Sequence, residues 1–241
     1  MSTGLRQYYD AYWADGPVTA MPPALAEVLD AHVTSSRHVL DIGCGDGAAS
    51  GTWLADRCAG YVGVDVSPAA VEAARARGLD ARVIGDAGAL PFPAESFDAA
   101  ICTEVLEHLF DPLGALEEIG RILRPGGKVV VTVPNVAHWR YRVDLALFGR
   151  FNPRADSRSS TEPWRDPHVR FFTQAALARM IGLAGLEPVS VGGHSDVGVL
   201  EGVPGLRRLA SSPAPGPLTN RISASLPRLF ANRLHGVARR P

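Results

Sequence analysis

Between residues 38 and 133, short apolar runs alternate with segments in which apolar residues recur at helical spacing. This alternation is typical of repeated strand–helix–strand units, which build a parallel sheet between layers of helices. We therefore predict a Rossmann-like α/β fold with a doubly wound sheet of about seven strands, mostly parallel with an antiparallel last strand. The predicted strands cover residues 38–42, 61–65, 81–85, 98–103, 128–133, 187–193 and 234–240.

The segments between these runs predict helices with identifiable starts. Ser67 and Asp111 can each cap a helix whose first turn holds a proline, and Thr173 can open a later helix. Residues 124–127, Arg-Pro-Gly-Gly, predict a turn before the fifth strand. The predicted helices cover residues 47–56, 68–78, 112–123, 173–185 and, near the end, 218–231.

A chain of 241 residues with 46% hydrophobic residues suits one well-packed domain. We expect N-terminal cap helices in residues 1–30, a cofactor-binding core in 38–135, a substrate lid in 136–172, inserted after the fifth strand, and a C-terminal helix with closing strands in 173–241. The net charge of -1 gives no general reason to expect nucleic acid or an anionic membrane as partner. Three scattered cysteines, without a signal peptide or a long apolar segment, favour a cytoplasmic protein.

The first predicted strand runs into a glycine-rich loop, Asp41-Ile42-Gly43-Cys44-Gly45. Such a loop lies at the carboxyl edge of the sheet, where α/β folds bind ligands. Gly43, Gly45 and Ala48 also satisfy a dinucleotide fingerprint, so the loop alone permits a nicotinamide cofactor. Asp41 would repel a pyrophosphate and attract the ammonium of an amino-acid tail, which favours S-adenosylmethionine.

Acidic residues end the next two predicted strands. Asp65 follows the glycine loop by about 20 residues, where a carboxylate accepts hydrogen bonds from ribose hydroxyls. Asp86 comes at the end of the third strand and can accept from an adenine amino group. A nicotinamide-dependent oxidoreductase would also need an acid for hydride chemistry, such as a tyrosine–lysine pair. The only lysine of the chain, Lys128, lies at the start of the predicted fifth strand, which does not favour this alternative.

Four segments resemble, in order and spacing, the successive motifs of class I S-adenosylmethionine-dependent methyltransferases: VLDIGCGDG, VGVDVSPAAVEAARARG, GDAGALPFPAESFDAAICTEVLEHL and RILRPGGKVVVTVPN. The later pieces NVAHWRYR and DPHVRFFT are similar to bacterial methionine-biosynthesis W-like and secondary-metabolite enzymes. The resemblance implies contacts to the methionine moiety, the ribose, the adenine and the sulfonium in turn. The methionine moiety is implied to contact Gly43, Cys44 and Gly45, and the ribose is implied to contact Asp65 with Val66. The adenine is implied to contact Asp86 and Ala87, and the sulfonium is implied to contact Thr103 and Glu104.

The N-terminal aromatic residues 7–13 have two interpretations. They can form a helix packed on the sheet, or, as in families that this chain resembles, they can fold over the cofactor. In the second case Tyr12 is our candidate contact, with Tyr8, Tyr9 and Trp13 as alternatives.

The segment Thr103–His108 follows the fourth strand and should face the methyl group. His108 is the candidate general base, because its ordinary pKa suits accepting a proton near neutral pH. Glu104 and the later His168 are predicted to share the catalytic role. If the segment is helical, Glu104, Glu107 and His108 cluster on one face. That pattern, with His168, resembles the metal site of small-RNA 2'-O-methyltransferases and ubiquinone-pathway O-methyltransferases. We assign no metal ligands to the chain and keep a divalent metal at these residues as the alternative.

Residues 138–173 carry seven arginines against four acids, which suits an anionic group or a plain solvated surface. We therefore predict methyl transfer from S-adenosylmethionine, leaving S-adenosylhomocysteine, to an oxygen or nitrogen of a small polar metabolite in bacterial secondary or specialised metabolism. The arginines permit an anionic substrate. No nucleic acid or membrane partner is expected, and the protein is expected as a monomer or homodimer. The alternatives are a non-methylating cyclase or binding module and a metal-dependent RNA 2'-O-methyltransferase.

Overall fold

A seven-stranded sheet forms the centre of the computed structural model, which describes residues 21–36, 38–151, 166–195 and 217–241, with the backbone alone for 217–220. The strand order is β3-β2-β1-β4-β5-β7-β6. The strands are β1 His38–Ile42, β2 Gly60–Asp65, β3 Ala81–Val83, β4 Phe97–Thr103, β5 Leu123–Pro134, β6 Glu187–His194 and β7 Arg233–Arg239. The first five pair in parallel, and β7 runs antiparallel to both β5 and β6, as predicted.

Helices connect the strands, and polar caps mark where three of them begin. Ser67, Asp111 and Thr173 each accept a hydrogen bond from a backbone N–H in the first turn that follows, which satisfies an otherwise unpaired donor. All three caps were predicted from the sequence. The helices are α1 Pro23–His32, α2 Gly51–Ala55, α3 Pro68–Ala76, α4 Pro112–Ile122, α5 Trp139–Phe148, α6 Gln174–Leu183, α7 Pro217–Ser225 and α8 Pro227–Phe230, with a 3-10 turn at Leu106–His108.

The fifth strand begins earlier than predicted, at Leu123 instead of Lys128. Phe97 of β4 pairs with Leu123, and Ala99 pairs with Lys128, so residues 124–127 bulge out of the ladder. The predicted turn is therefore present inside the strand that it was expected to precede.

Apolar side chains pack on both faces of the sheet. One cluster joins the sheet to α4 and α6 and includes Leu116 and Ile181. The other joins it to α1, α2 and α3 and includes Leu29 and Leu54. Because both faces are covered, the polar carboxyl ends of the parallel strands are left as the edge that can meet a ligand.

The described part of the chain contains no helix with both the length and the apolar character that a membrane crossing needs. Several predictions of the sequence lie outside the described residues: the aromatic segment 7–13 with Tyr12, most of the N-terminal cap, and lid residues 152–165. The described lid residues include α5, and its role in substrate binding stays a prediction.

Candidate active site

The glycine loop after β1 is shaped by three residues in the left-handed backbone region. Gly43, Gly45 and Gly47 have φ angles of 73°, 55° and 73°. A Cβ on Gly43 would lie 2.3 Å from a methyl group of Val105, so the loop also needs glycine there for close packing. This contact brings the loop after β1 against the loop after β4.

Asp41 lies beneath this loop and not on its surface. Its side chain is fully buried, and its Oδ2 accepts hydrogen bonds from Ser50 Oγ at 2.8 Å and Tyr61 OH at 3.0 Å. Burial raises the pKa of Asp41 to about 6. Its Oδ1 is buried without a hydrogen-bond partner among the described residues. The contact to the cofactor's ammonium stays a prediction, while the structure gives Asp41 a part in holding the loop.

Cys44 was expected to line the methionine moiety, and its side chain turns inward. Its Sγ would lie 2.8 Å from a Cβ on Gly63, and burial raises the pKa of the thiol. The thiol therefore packs against β2, and the contact of Cys44 to the methionine moiety stays a prediction.

The carboxylate of Asp65 lies at the end of β2, directly against the glycine loop. Its Oδ2 accepts from the Gly45 N–H at 3.0 Å, and its Oδ1 accepts from the Ser67 N–H at 2.9 Å. The side chain is largely buried, with 8% of the residue exposed. These bonds fix the orientation of a negative charge at the position where the sequence predicts the ribose.

The predicted adenine site lies beyond β3. Asp86 is exposed and its Oδ1 accepts from the Gly88 N–H at 2.9 Å, whereas Ala87 is buried. Val66 is half-buried against the core, and Thr103 ends β4 beside Thr132. The structure thus brings the predicted cofactor residues that it describes to one edge of the sheet.

Glu104 does not share a face with Glu107 and His108, contrary to what a helix would give. Its φ angle of 56° is left-handed, and the helical turn that follows covers only Leu106–His108. The Glu104 carboxylate instead accepts from Thr132 Oγ1 at 2.9 Å and pairs with the guanidinium of Arg233.

His108 and His168 meet over the buried carboxylate of Glu107. The Glu107 Oε1 atom lies 3.7 Å from His108 Nε2 and 3.8 Å from His168 Nε2, and only 1% of the Glu107 side chain is exposed. The candidate ligand atoms of these three residues all lie within 4.8 Å of one another. This cluster joins two histidines that are 60 residues apart in the sequence, as predicted.

Two further residues orient the histidine rings. Pro167 O lies 3.3 Å from His108 Nδ1, and Asp166 Oδ1 lies 3.3 Å from His168 Nδ1. A carbonyl and a carboxylate accept hydrogen bonds, so we assign the proton of each neutral ring to Nδ1. Nε2 of each ring is then the atom that can accept a proton or bind a metal.

Sequence reasoning missed the partners Arg233, Thr132 and Asp166. Thr132 lies in a strand that was predicted from its apolar residues, and Arg233 directly precedes the predicted strand 234–240; nothing local marks either as a polar site residue. Asp166 could have been noticed, because an acid two residues before a histidine can orient its ring.

The fold and the site define an α/β protein with a doubly wound sheet, a class that binds ligands at the carboxyl edge of the parallel strands. Residues 40–131 match the model of the methyltransferase domain family.

Curated relatives narrow this class further. A protein of Mycolicibacterium smegmatis named a probable S-adenosylmethionine-dependent methyltransferase is 33% identical over 159 residues, which cover 65% of this chain and 54% of that protein. The chain thus spans about half the length of this relative. A ubiquinone biosynthesis O-methyltransferase of Xanthomonas axonopodis pv. citri is 30% identical over 194 residues, 78% of each chain. The chain therefore belongs to the class I S-adenosylmethionine-dependent methyltransferase superfamily, and the nicotinamide alternative is set aside.

Among solved structures, the cyclase SpnF has a TM-score of 0.63 and 20% sequence identity, covering 98% of this chain and 95% of its own. At this identity the likeness shows the fold alone. The same fold thus occurs in a protein named for cyclisation, so the side chains of the site must carry the functional argument.

Proposed function

We propose that this protein transfers a methyl group from S-adenosylmethionine to an oxygen or nitrogen of a small polar metabolite. The observation that carries the proposal is one sheet edge that joins the glycine loop and Asp65 to the cluster of Glu107, His108 and His168. A cofactor site and a group able to take up a proton are both needed for methylation of a hydroxyl or ammonium.

The residues after β1 and β2 fit this cofactor. The left-handed glycines leave a side-chain-free cradle, and Asp65 offers a fixed carboxylate to ribose hydroxyls. The buried and unpartnered Oδ1 of Asp41 suits a cationic amino-acid tail. Thr103, Val66, Asp86 and Ala87 complete the proposed contacts. When bound, S-adenosylmethionine supplies an electrophilic methyl group on a sulfonium.

His108 is proposed as the general base. Its Nδ1–H donates to the Pro167 carbonyl, so Nε2 can receive the acceptor's proton. The buried Glu107 carboxylate, 3.7 Å from that Nε2, stabilises the imidazolium that forms. His168 lies against His108 with ring centroids 4.7 Å apart and supports the same region.

A divalent cation is the second candidate for this cluster, favoured by the convergence of one carboxylate oxygen and two Nε2 atoms within 4.8 Å. Glu107, His108 and His168 would hold it, and Asp166 and Pro167 would orient the histidines as hydrogen-bond partners do around metals. A bound cation would lower the pKa of an acceptor hydroxyl. The resemblance also placed Glu104 among the metal ligands, but its carboxylate pairs with the guanidinium of Arg233.

A small-molecule acceptor is supported by the name of the Xanthomonas relative, a ubiquinone biosynthesis O-methyltransferase. That name favours an oxygen acceptor over nitrogen and a metabolite over RNA. We propose specialised metabolism in the cytoplasm as the setting.

The test uses S-adenosylmethionine with an isotope-labelled methyl group and a panel of hydroxylated and aminated small molecules. We expect acceptor-dependent formation of S-adenosylhomocysteine, with the label in the acceptor by mass spectrometry. Binding of the donor without label transfer to any panel member, together with rearrangement of an acceptor, would favour a cyclase.

The metal is tested by dialysis against EDTA and calorimetric titration with Mn²⁺ or Zn²⁺, in the wild type and in Glu107→Gln. Metal binding that is lost in the variant supports a cation site. Full activity after EDTA, without metal binding, removes it and leaves His108 as the base.

A further inference from the structure

Helix α5 is exposed over most of its length, although its apolar residues are those of a buried helix. Leu145, Leu147 and Phe148 are 53%, 71% and 62% exposed, and no residue of α5 is buried. With 3.6 residues per turn, Val143 and Leu147 lie toward one side of the helix, and Leu145 and Phe148 lie toward the other. A helix with apolar residues on all sides is normally enclosed by other structure. The exposed side chains of α5 therefore form a surface suited to a partner.

Four further apolar side chains extend this surface beyond the helix. Phe151 follows α5 and contacts Phe171, with ring centroids 5.3 Å apart. The guanidinium of Arg170, the residue before Phe171, donates to the carbonyls of Phe110 and Val169. We call the whole surface the apolar patch, which consists of Phe110, Val143, Leu145, Leu147, Phe148, Phe151, Val169 and Phe171. Because these eight side chains are on average about half exposed, the patch presents on the order of 700 Å², whereas the largest patch of a typical monomer is roughly 300–600 Å².

Exposed arginines border the apolar patch. The Arg150 guanidinium lies over the Phe148 ring, 5.8 Å from its centroid. Arg142 Nε donates to the Ala137 carbonyl, and the partners of Arg170 are carbonyls as well. Among the described residues, no carboxylate pairs with any of these three guanidinium groups. Their positive charges are therefore not neutralised locally.

The combination of apolar and cationic side chains indicates which partner fits. A second copy of the chain, related by a two-fold axis, would place the apolar patch and its arginines against the same groups of the other copy. Like charges would then face each other, and Asp144 is the only acid of α5 to offset them. An anionic membrane surface instead attracts the arginines, whose long side chains reach the headgroups while leucine and phenylalanine enter the apolar layer.

We propose that the apolar patch and its bordering arginines bind the surface of a membrane that contains anionic lipids. The protein rests on the membrane and does not cross it. The expectation of no membrane partner rested on the net charge of the whole chain, which does not describe this local surface. The patch adjoins the cluster around Glu107, because the Val169 N–H donates to the Glu107 carbonyl at 2.9 Å. Membrane binding is independent of the proposed methyl transfer.

Co-sedimentation of the full chain with lipid vesicles tests the proposal. We expect binding to phosphatidylcholine vesicles that contain about one third phosphatidylglycerol, with little binding to pure phosphatidylcholine and a decline as salt is added. The double variant Leu147→Ser with Phe148→Ser should lower the partition coefficient by about tenfold or more. Arg142→Gln with Arg150→Gln should lower it by roughly 10- to 30-fold.

Leu183→Ser and Arg179→Gln are the matched controls. Both residues are exposed on α6, outside the apolar patch. Each control should bind vesicles as the wild type does. All the substituted side chains are exposed, so the far-ultraviolet circular dichroism of every variant should match that of the wild type.

Absence of wild-type binding to the anionic vesicles would overturn the proposal, and so would equal binding to both kinds of vesicle. Equal binding by the wild type and both double variants would overturn it as well. A dimer in analytical ultracentrifugation that Leu147→Ser with Phe148→Ser dissociates, without vesicle binding, would assign the apolar patch to a second copy instead. Each of these outcomes leaves the proposed function intact.

Discussion

The two halves of the proposed site are assembled over very different distances along the chain. In the cofactor half, Gly45 donates to Asp65 across 20 residues. In the acceptor half, Pro167 faces His108 across 59 residues, and Arg233 reaches Glu104 across 129. The glycine loop and Asp65 of the first half lie in one strand–helix–strand unit, whereas the second half combines residues from distant parts of the chain.

From this difference we infer that one half binds the cofactor and the other half acts on the acceptor. The cofactor half uses backbone amides and carboxylates held by local hydrogen bonds. The acceptor half uses histidines and charged pairs contributed by distant elements, and such a set can change without disturbing the cofactor loop. If the halves are separable, a substitution in one should leave the other intact.

Replacing both histidines should have the largest effect. His108→Ala with His168→Ala is expected to lower methyl transfer to the acceptor identified in the panel by roughly 100- to 1000-fold, because it removes the proposed base and its neighbour. Affinity for S-adenosylhomocysteine should stay within about twofold by calorimetry. A parallel loss of cofactor binding would break the division into halves.

Asp65→Ala tests the cofactor half. We expect affinity for S-adenosylhomocysteine to fall by about 100-fold, because the variant removes ribose hydrogen bonds and the carboxylate that orders the Gly45 and Ser67 amides. Asp80→Ala is the control, since Asp80 is an exposed acid paired with Arg82. Equal affinities in both variants would contradict the assignment of Asp65.

Asp41→Asn tests the buried acid below the loop. Burial raises the pKa of Asp41 in the folded protein to about 6, above the ordinary value of 3.8 for an aspartate. The folded state then binds the proton more tightly than the unfolded chain, so this contribution to stability is present below about pH 4 and is lost as pH rises through 6.

The amide cannot ionise, so at pH 8 the variant should raise the free energy of unfolding of the ligand-free protein by about 1–3 kcal/mol, with little difference at pH 4. Urea denaturation at both pH values measures this. Asp56→Asn, at an exposed position, is the control and should show no such pH-dependent gain. A destabilised Asp41→Asn at pH 8 would mean that the carboxylate's hydrogen bonds outweigh its burial.

The smallest expected effect concerns the backbone of Glu104. Glycine adopts its left-handed conformation without strain, so Glu104→Gly should be about 1 kcal/mol more stable than Glu104→Ala. At the exposed helical position Glu117 the same pair should differ by a similar amount in the opposite direction. Thermal denaturation measures the stability difference between the glycine and alanine variants at each position. A difference of the same sign at both positions would argue against strain at Glu104.

Much of the fold was predictable because its signals are local. Six of the seven strands were predicted to within two residues at each end, and the caps at Ser67 and Asp111 were visible as a polar residue before proline. The start of β5 was missed because a bulge across residues 124–127 looks in sequence like a strand-ending turn.

The candidate site was predictable only in part. The meeting of His108 and His168 was anticipated, but the separation of Glu104 from Glu107 was not, because it follows from one left-handed residue and a 3-10 turn. Arg233 could not be found, since its role depends on β7 lying beside β5, a pairing that no local pattern specifies.

We propose that the edge formed by the glycine loop and Asp65 binds S-adenosylmethionine and its product. Calorimetric titration of the wild-type protein with S-adenosylhomocysteine tests this most directly. We expect one binding site per chain with an affinity in the micromolar range. A folded protein that gives no binding with millimolar ligand would contradict it.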